Sequence, residues 1–150
     1  MNNRFLFRGK CETTGKWFYG SLSQTQSWDY RKEKELVPCI VHETDRGLLI
    51  KEVDPATIGQ CTGLSASKSY CGERPEDLLI FEGDTVQADW YDYCECAKSV
   101  FGEIVYCGNW GQWTIYDNET KTLYEICQQD YYSFIVDIVG NVHDTPKTEE

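Results

Sequence analysis

A chain of 150 residues suffices for one ordinary domain or two very small ones. With 41% hydrophobic and 14% aromatic residues it can fill a core, which excludes an intrinsically disordered chain. A net charge of −11 argues against nucleic acid as a direct partner, and no apolar run reaches the roughly 18–20 residues of a membrane span.

The opening MNNRFLFRGKCETTGKW has neither an apolar stretch of signal-peptide length nor a small-residue cleavage site, so a cytoplasmic protein is expected. From there the pattern is β almost throughout. RFLFRG (4–9) and KWFYGSL (16–22) are short aromatic-rich runs joined by ETTG, which reads as a hairpin. WDYRKEKE (28–35) lacks apolar spacing and reads as a charged loop. LVPCIVHE (36–43) and GLLIKEVD (47–54) form a second pair with TDRG as the turn.

Next comes VDPATIGQCTGL (53–64), with Pro, two Thr, two Gly and a Gln in fixed order and no catalytic residue type. It reads as a loop that locks two halves of the chain together. SASKSYCGERPEDLL (65–79) is polar and reads as a linker, or as a long loop with a short helix at PEDLL, where Pro75 suits a first helical turn. Five or six short strands follow: LLIFEG (78–83), DTVQADWYDY (84–93), FGEIVYCG (101–108), QWTIYDN (112–118), TLYEIC (122–127) and YSFIVDIVGNV (132–142). Such spacing suggests a small barrel or meander. The expected fold is mainly β, in two small barrel-like parts with little helix: N-terminal hairpins over 1–71 and an acidic C-terminal barrel over 72–150, or one compact unit.

The boundary at 71/72 rests on charge. Residues 1–71 carry ten Lys/Arg and eight Asp/Glu, a balance of +2, whereas residues 72–150 carry four and seventeen, a balance of −13. Such asymmetry bears on partners rather than fold. The acidic half should repel nucleic acid and attract a protein whose own surface is built to hold phosphates.

Chemistry is thinly represented. Eight cysteines stand at 11, 39, 61, 71, 94, 96, 107 and 127, and without a secretory setting they read as reduced, mostly buried thiols. Cys94 and Cys96 form a C-x-C, but paired zinc-ligand spacing is missing, so no metal and no cofactor are expected. Only His42 and His143 could act as bases, no G-x-S-x-G elbow occurs, and no phosphate-binding glycine loop is present. The chain is therefore read as a non-enzyme.

Gly15, Gly20, Gly59, Gly63, Gly83 and Gly140 are placed where strands turn or backbones approach closely. Thr57, Gln60 and Thr62 suit the closing of loops onto backbone groups, Asp84 reads as a turn residue bonding nearby amides, and Asn141 tolerates left-handed backbone. The exposed-looking carboxylates and aromatics Glu82, Asp84, Asp89, Trp90, Asp92, Glu95, Trp110 and Trp113 form the expected partner surface, since Trp and Tyr anchor protein interfaces.

Taken together, FRGKCETTGKWFYGSL (7–22), DPATIGQCTGL (54–64), FEGDTV (81–86) and DIVGNVHDTP (137–146) resemble, in order and spacing, the YopX family of phage and prophage proteins. The resemblance spans almost the whole chain. Cys61 stands where that family has an aromatic, and the segment between Leu64 and Phe81 is longer than its usual turn. The resemblance implies a β-rich fold of two barrel-like parts, a homo-oligomer and a phage or prophage origin; it supplies no activity. The expectation is a phage accessory protein whose acidic half binds and inhibits a host protein with a cationic nucleic-acid-binding surface, such as a CRISPR or restriction nuclease or a replication factor. The competing expectation is self-assembly, the N-terminal half of one copy docking on the acidic half of the next. A metal- or thiol-dependent enzyme is the third.

Overall fold

The computed structural model describes residues 6–26, 35–93, 95–126 and 133–144. Its chain is mainly β, as the alternation in the sequence requires. The strands are β1 (Phe7–Lys10), β2 (Trp17–Gln26), β3 (Leu36–Thr44), β4 (Gly47–Glu52), β5 (Gly59–Ser65), β6 (Lys68–Ser69), β7 (Leu79–Phe81), β8 (Asp84–Asp92), β9 (Glu95–Cys107), β10 (Gln112–Asp117), β11 (Thr122–Glu125) and β12 (Ser133–Asn141). Two single 3₁₀ turns, Pro55–Thr57 and Pro75–Leu78, supply the helix among the described residues. The expected helix at 75–79 is the second of these. Most of the charged segment at 28–35 lies outside the described residues.

The chain divides into two compact units between Cys61 and Thr62, inside β5. The charge break after Cys71 is not that division. Segment 65–78 folds with the second unit because its backbone is bonded there: Ala66 N donates to Leu78 O, Ser67 N to Val136 O and Tyr70 N to Ile138 O. On the observed division, the second unit carries five Lys/Arg against seventeen Asp/Glu, a balance of −12.

In the first unit the strand order is β4-β3-β2-β1-β5, antiparallel throughout. Both predicted hairpins are present. β1–β2 closes over the Cys11–Lys16 turn, and β3–β4 turns at Asp45–Arg46 with Thr44 opposite Gly47. Its core is small, with Cys39, Ile40, Val53 and Cys61 buried. Arg8 caps it by laying its guanidinium 4.7 Å over the Trp17 ring.

The stretch VDPATIGQCTGL is half turn and half strand. Asp54 caps the 3₁₀ turn, its carboxylate accepting from Ala56 N at 3.0 Å; Thr57 Oγ1 donates to Asp54 O and accepts from Lys10 N at 2.8 Å. From Gly59 the chain is strand β5, with Gly59 and Gln60 opposite Arg8 and Phe7. The expectation of a loop there is corrected: two glycines lower the strand signal, yet Cys61 and Thr62 are buried and the backbone pairs with β1. Gly63 takes a positive φ of 83°, which a side chain would strain.

In the second unit the sheet order is β11-β10-β9-β8-β12-β6, all antiparallel except the short parallel β12–β6 pair. The order has two ends, so among the described residues neither sheet closes into a barrel. Thr62 Oγ1, in the middle of β5, donates to Ile80 O of β7 at 2.9 Å. Alternation on β8 sends Asp84, Val86, Ala88 and Trp90 inward, against Val100 and Ile104 of β9, Ile115 of β10 and Val136 and Ile138 of β12. This is the larger core.

Candidate functional site

The expected partner residues do not form one patch. Asp84 is only 1% exposed: its carboxylate accepts from Phe81 N at 2.8 Å and from Asn141 Nδ2 at 3.2 Å. Trp90 is 0% exposed, and its indole N–H donates to Ile126 O at 3.2 Å. Neither can meet a partner, and both leave the proposed surface. The reason is the period of two, which puts them on the same strand face as Val86 and Ala88.

Of the remaining members, Asp89, Asp92 and Glu95 lie on the β8–β9 hairpin, Glu82 in the turn before β8, Trp110 in the turn after β9 and Trp113 on β10. Asp92 and Glu95 are opposite one another and exposed at its tip, flanking Tyr93, whose φ is 60°. Asp89, half-buried, accepts from Gln87 Nε2 at 3.3 Å and from Ser99 Oγ. Trp110 lies half-exposed beyond the other end of β9, and Trp113 packs edge-on against Tyr106 with ring centroids 5.2 Å apart. Glu95 and Cys107 are twelve residues apart on one strand, about 40 Å at the usual rise, so the tip carboxylates and Trp110 belong to different surfaces.

The motif residues Gly83, Gly140 and Asn141 meet Asp84 instead. Asn141 pairs with Asp84 across β8–β12, its side-chain oxygen accepts from His143 N at 2.7 Å, and Val142 N donates to Gly83 O at 3.0 Å. Gly83 has a φ of 92°, and a Cβ on Gly140 would come within 2.8 Å of Thr85 Oγ1 at the β-bulge. FEGD and GNVH are thus one polar clasp. Its role is to tie β12 to the start of β8.

What sequence reasoning missed lies on the outer face of β9 and β10. A cleft of about 620 Å³ is lined by Thr85, Ser99, Phe101, Glu103, Tyr116, Asp117, Asn118, Glu119 and Val142. Register builds it: Glu103 lies between Thr85 of β8 and Tyr116 of β10, with Phe101 two residues away on the same face. Asp117 closes the β10–β11 turn by accepting from Glu119 N at 2.9 Å and Thr120 N at 3.4 Å, and Glu119 is exposed. Burial lifts the Glu103 carboxyl above the ordinary glutamate value, His143 opposing and Glu82 reinforcing the shift. Its lining holds both carboxylates and two aromatic residues.

Thiols and metals are less organised. Cys39, Cys61 and Cys107 are buried, Cys11 is half-buried, and Cys71 and Cys96 are exposed. Cys94 and Cys127 lie outside the described residues. Among the described residues no three His, Cys, Asp or Glu groups come together as a metal-ligand set. The Cys11 thiol is set apart by its turn. A hydrogen bond with Thr13, 3.2 Å away, and others from Thr14 lower its pKa to about 7. Iodoacetamide at pH 7 should therefore alkylate Cys11 ahead of Cys71 and Cys96, with a rate that climbs through about pH 7. Peptide mapping of a time course checks this; earlier labelling of either exposed cysteine would contradict it.

Among the described residues no helix is long and apolar enough to cross a membrane. No family model, curated protein or solved structure matches the chain.

Proposed function

We propose that this is a non-enzymatic accessory protein of phage or prophage origin, whose acidic second unit binds a host protein at a cationic, nucleic-acid-binding surface. The observation that carries this reading is the cleft lined by Glu103, Asp117 and Glu119 together with Phe101 and Tyr116, on a unit with a balance of −12. An arginine of the partner entering there would stack on an aromatic ring and form charge-assisted bonds to a carboxylate. Such an arginine is what a nuclease or replication factor uses to hold phosphate. Occupying it would block the partner's substrate, and the field of the acidic unit would speed association at low salt.

The test separates the cleft from the hairpin tip. Glu119→Lys with Phe101→Ala alters the cleft, and Asp92→Lys with Glu95→Lys alters the tip; all four residues are exposed, so folding should survive. Wild-type protein, immobilised in nuclease-treated host lysate, should retain a nucleic-acid-binding protein that elutes as salt rises. The cleft variant should lose at least about tenfold in affinity, the scale of one desolvated charge pair. Undiminished capture by the cleft variant would remove the cleft from the proposal, and capture indifferent to salt would remove the electrostatic reading altogether.

A further inference from the structure

The first unit holds a second concavity, whose chemistry is the reverse of the acidic cleft. A cavity of about 210 Å³ is lined by Phe18, Ile40, His42, Leu49 and Lys51, together with Trp17 and Tyr19. Register brings these residues to one place. Ile40 lies opposite Lys51 and His42 opposite Leu49, so the four share a face of the sheet. Leu22 lies opposite Ile40, which puts Phe18, four residues earlier on β2, on that face as well. The Lys51 ammonium, 5.6 Å from the centre of the Phe18 ring, agrees with that phase.

This face lacks acid. The chain carries 25 Asp and Glu, yet β2 has none, and those of β3 and β4, Glu43 and Glu52, fall on the other face opposite Leu48 and Cys39. Among the described residues, neither Lys51 nor His42 is paired with a carboxylate. Lys51 rests against an aromatic ring instead, a weaker partner for an ammonium than an anion would be.

We infer that this cavity binds a small aromatic anion, a single ring carrying a phosphate or a carboxylate, with the ring among Phe18, Ile40 and Leu49 and the anionic group at Lys51 and His42. Charge decides the sign of the ligand. Lys51 supplies a full positive charge with three donors, and the His42 imidazole has an N–H to donate in either protonation state. Volume decides the size: a cavity of about 150 Å³ suffices for one benzene ring, so about 210 Å³ leaves room for one substituent and not for a second large ring. The aromatic and branched lining decides the body of the ligand, since rings stack on rings and exclude water. The long-range field of a chain with net charge −11 opposes any anion, so the site relies on these short-range bonds. Nothing in this reading depends on the acidic cleft of the second unit.

The test is calorimetric titration of the full chain with phenyl phosphate and, separately, with benzoate. At least one of them should bind, one molecule to each chain. Benzyl alcohol, which has the ring without the charge, and inorganic phosphate, which has the charge without the ring, should each bind at least about tenfold more weakly. Lys51→Gln keeps most of the stem and removes the charge, so it should weaken the aromatic anion about tenfold, and Lys51→Arg should restore most of the loss. Leu49→Trp fills the cavity from a position already 39% exposed and should abolish binding with both donors in place. Circular dichroism of each variant checks that its strands are retained. No binding of either anion at millimolar concentration would overturn the inference. So would equal affinity in well-folded Lys51→Gln, or inorganic phosphate bound as tightly as phenyl phosphate.

Discussion

Replacing Trp90 with alanine should cost the second unit about 3–5 kcal/mol, the range for removing a fully buried large aromatic side chain. No other fully buried side chain of the described residues is larger. Its ring lies between strands, stacked at 6.2 Å and 18° on Phe134 of β12, while Lys98 of β9 sets its ammonium 5.6 Å from the ring centre. Truncation therefore opens a cavity across three strands and strips Ile126 O of its donor at the end of β11. Trp90→Phe separates the two effects. It keeps most of the apolar volume and loses the N–H, so it should cost about 1–2 kcal/mol. Denaturant unfolding followed by circular dichroism measures both. An alanine variant within about 1 kcal/mol of wild type would mean that Trp90 is not packed as described.

The second large effect is expected at Asp84. A buried carboxylate that accepts from Phe81 N and Asn141 Nδ2 holds the FEGD turn to β12, and Asp84→Ala leaves both donors without that acceptor. Loss of charge-assisted bonds in a buried place should cost about 3 kcal/mol. Asp84→Asn keeps the shape but sets one amide against another at Asn141, so it should fall between wild type and alanine. Asn141→Ala should mimic part of the loss, and because the two residues touch, the double variant should cost less than the two single ones added. Thermal unfolding of the four proteins measures this cycle. Full additivity would contradict a shared clasp. A large loss of partner binding without loss of stability would return Asp84 to the surface.

These two residues also mark how far the sequence could be read. The strands of the second unit are visible in it because alternation is strong: β8 repeats small or apolar residues at Val86, Ala88 and Trp90. The same alternation assigns Trp90 to the core, but a count of aromatics near carboxylates, without their phase on the strand, sends it to the surface. Asp84 is legible as a turn residue; its second bond, to Asn141, joins positions 57 residues apart and leaves no local trace. β9 begins at Glu95, six residues before its apolar run, because the turn at Tyr93 sets Asp92 against Glu95 and the ladder follows from there. Strand β6, two residues long and parallel to β12, is too short to give a period.

The unit boundary was hidden for a different reason. Charge is a property of exposed side chains, whereas compactness follows backbone pairing, and the two change at different residues, 71 and 61. The cleft was hidden because register makes it. Glu103 on β9 meets Tyr116 on β10, and Phe101, Asp117 and Glu119 line the same cleft. None of these residues is unusual where it stands. Only the ladder that aligns them creates a surface with ligand-binding chemistry.

Competition with nucleic acid shows whether the acidic unit occupies a cationic nucleic-acid site of its partner. The captured host protein is saturated with a labelled duplex or single strand that it binds, and this protein is titrated in at low and moderate salt while label release and complex composition are followed. Mutual exclusion is expected: the nucleic acid leaves as this protein binds, the competition weakens with added salt, and Glu119→Lys with Phe101→Ala does not compete. A stable ternary complex holding nucleic acid and this protein together would contradict it.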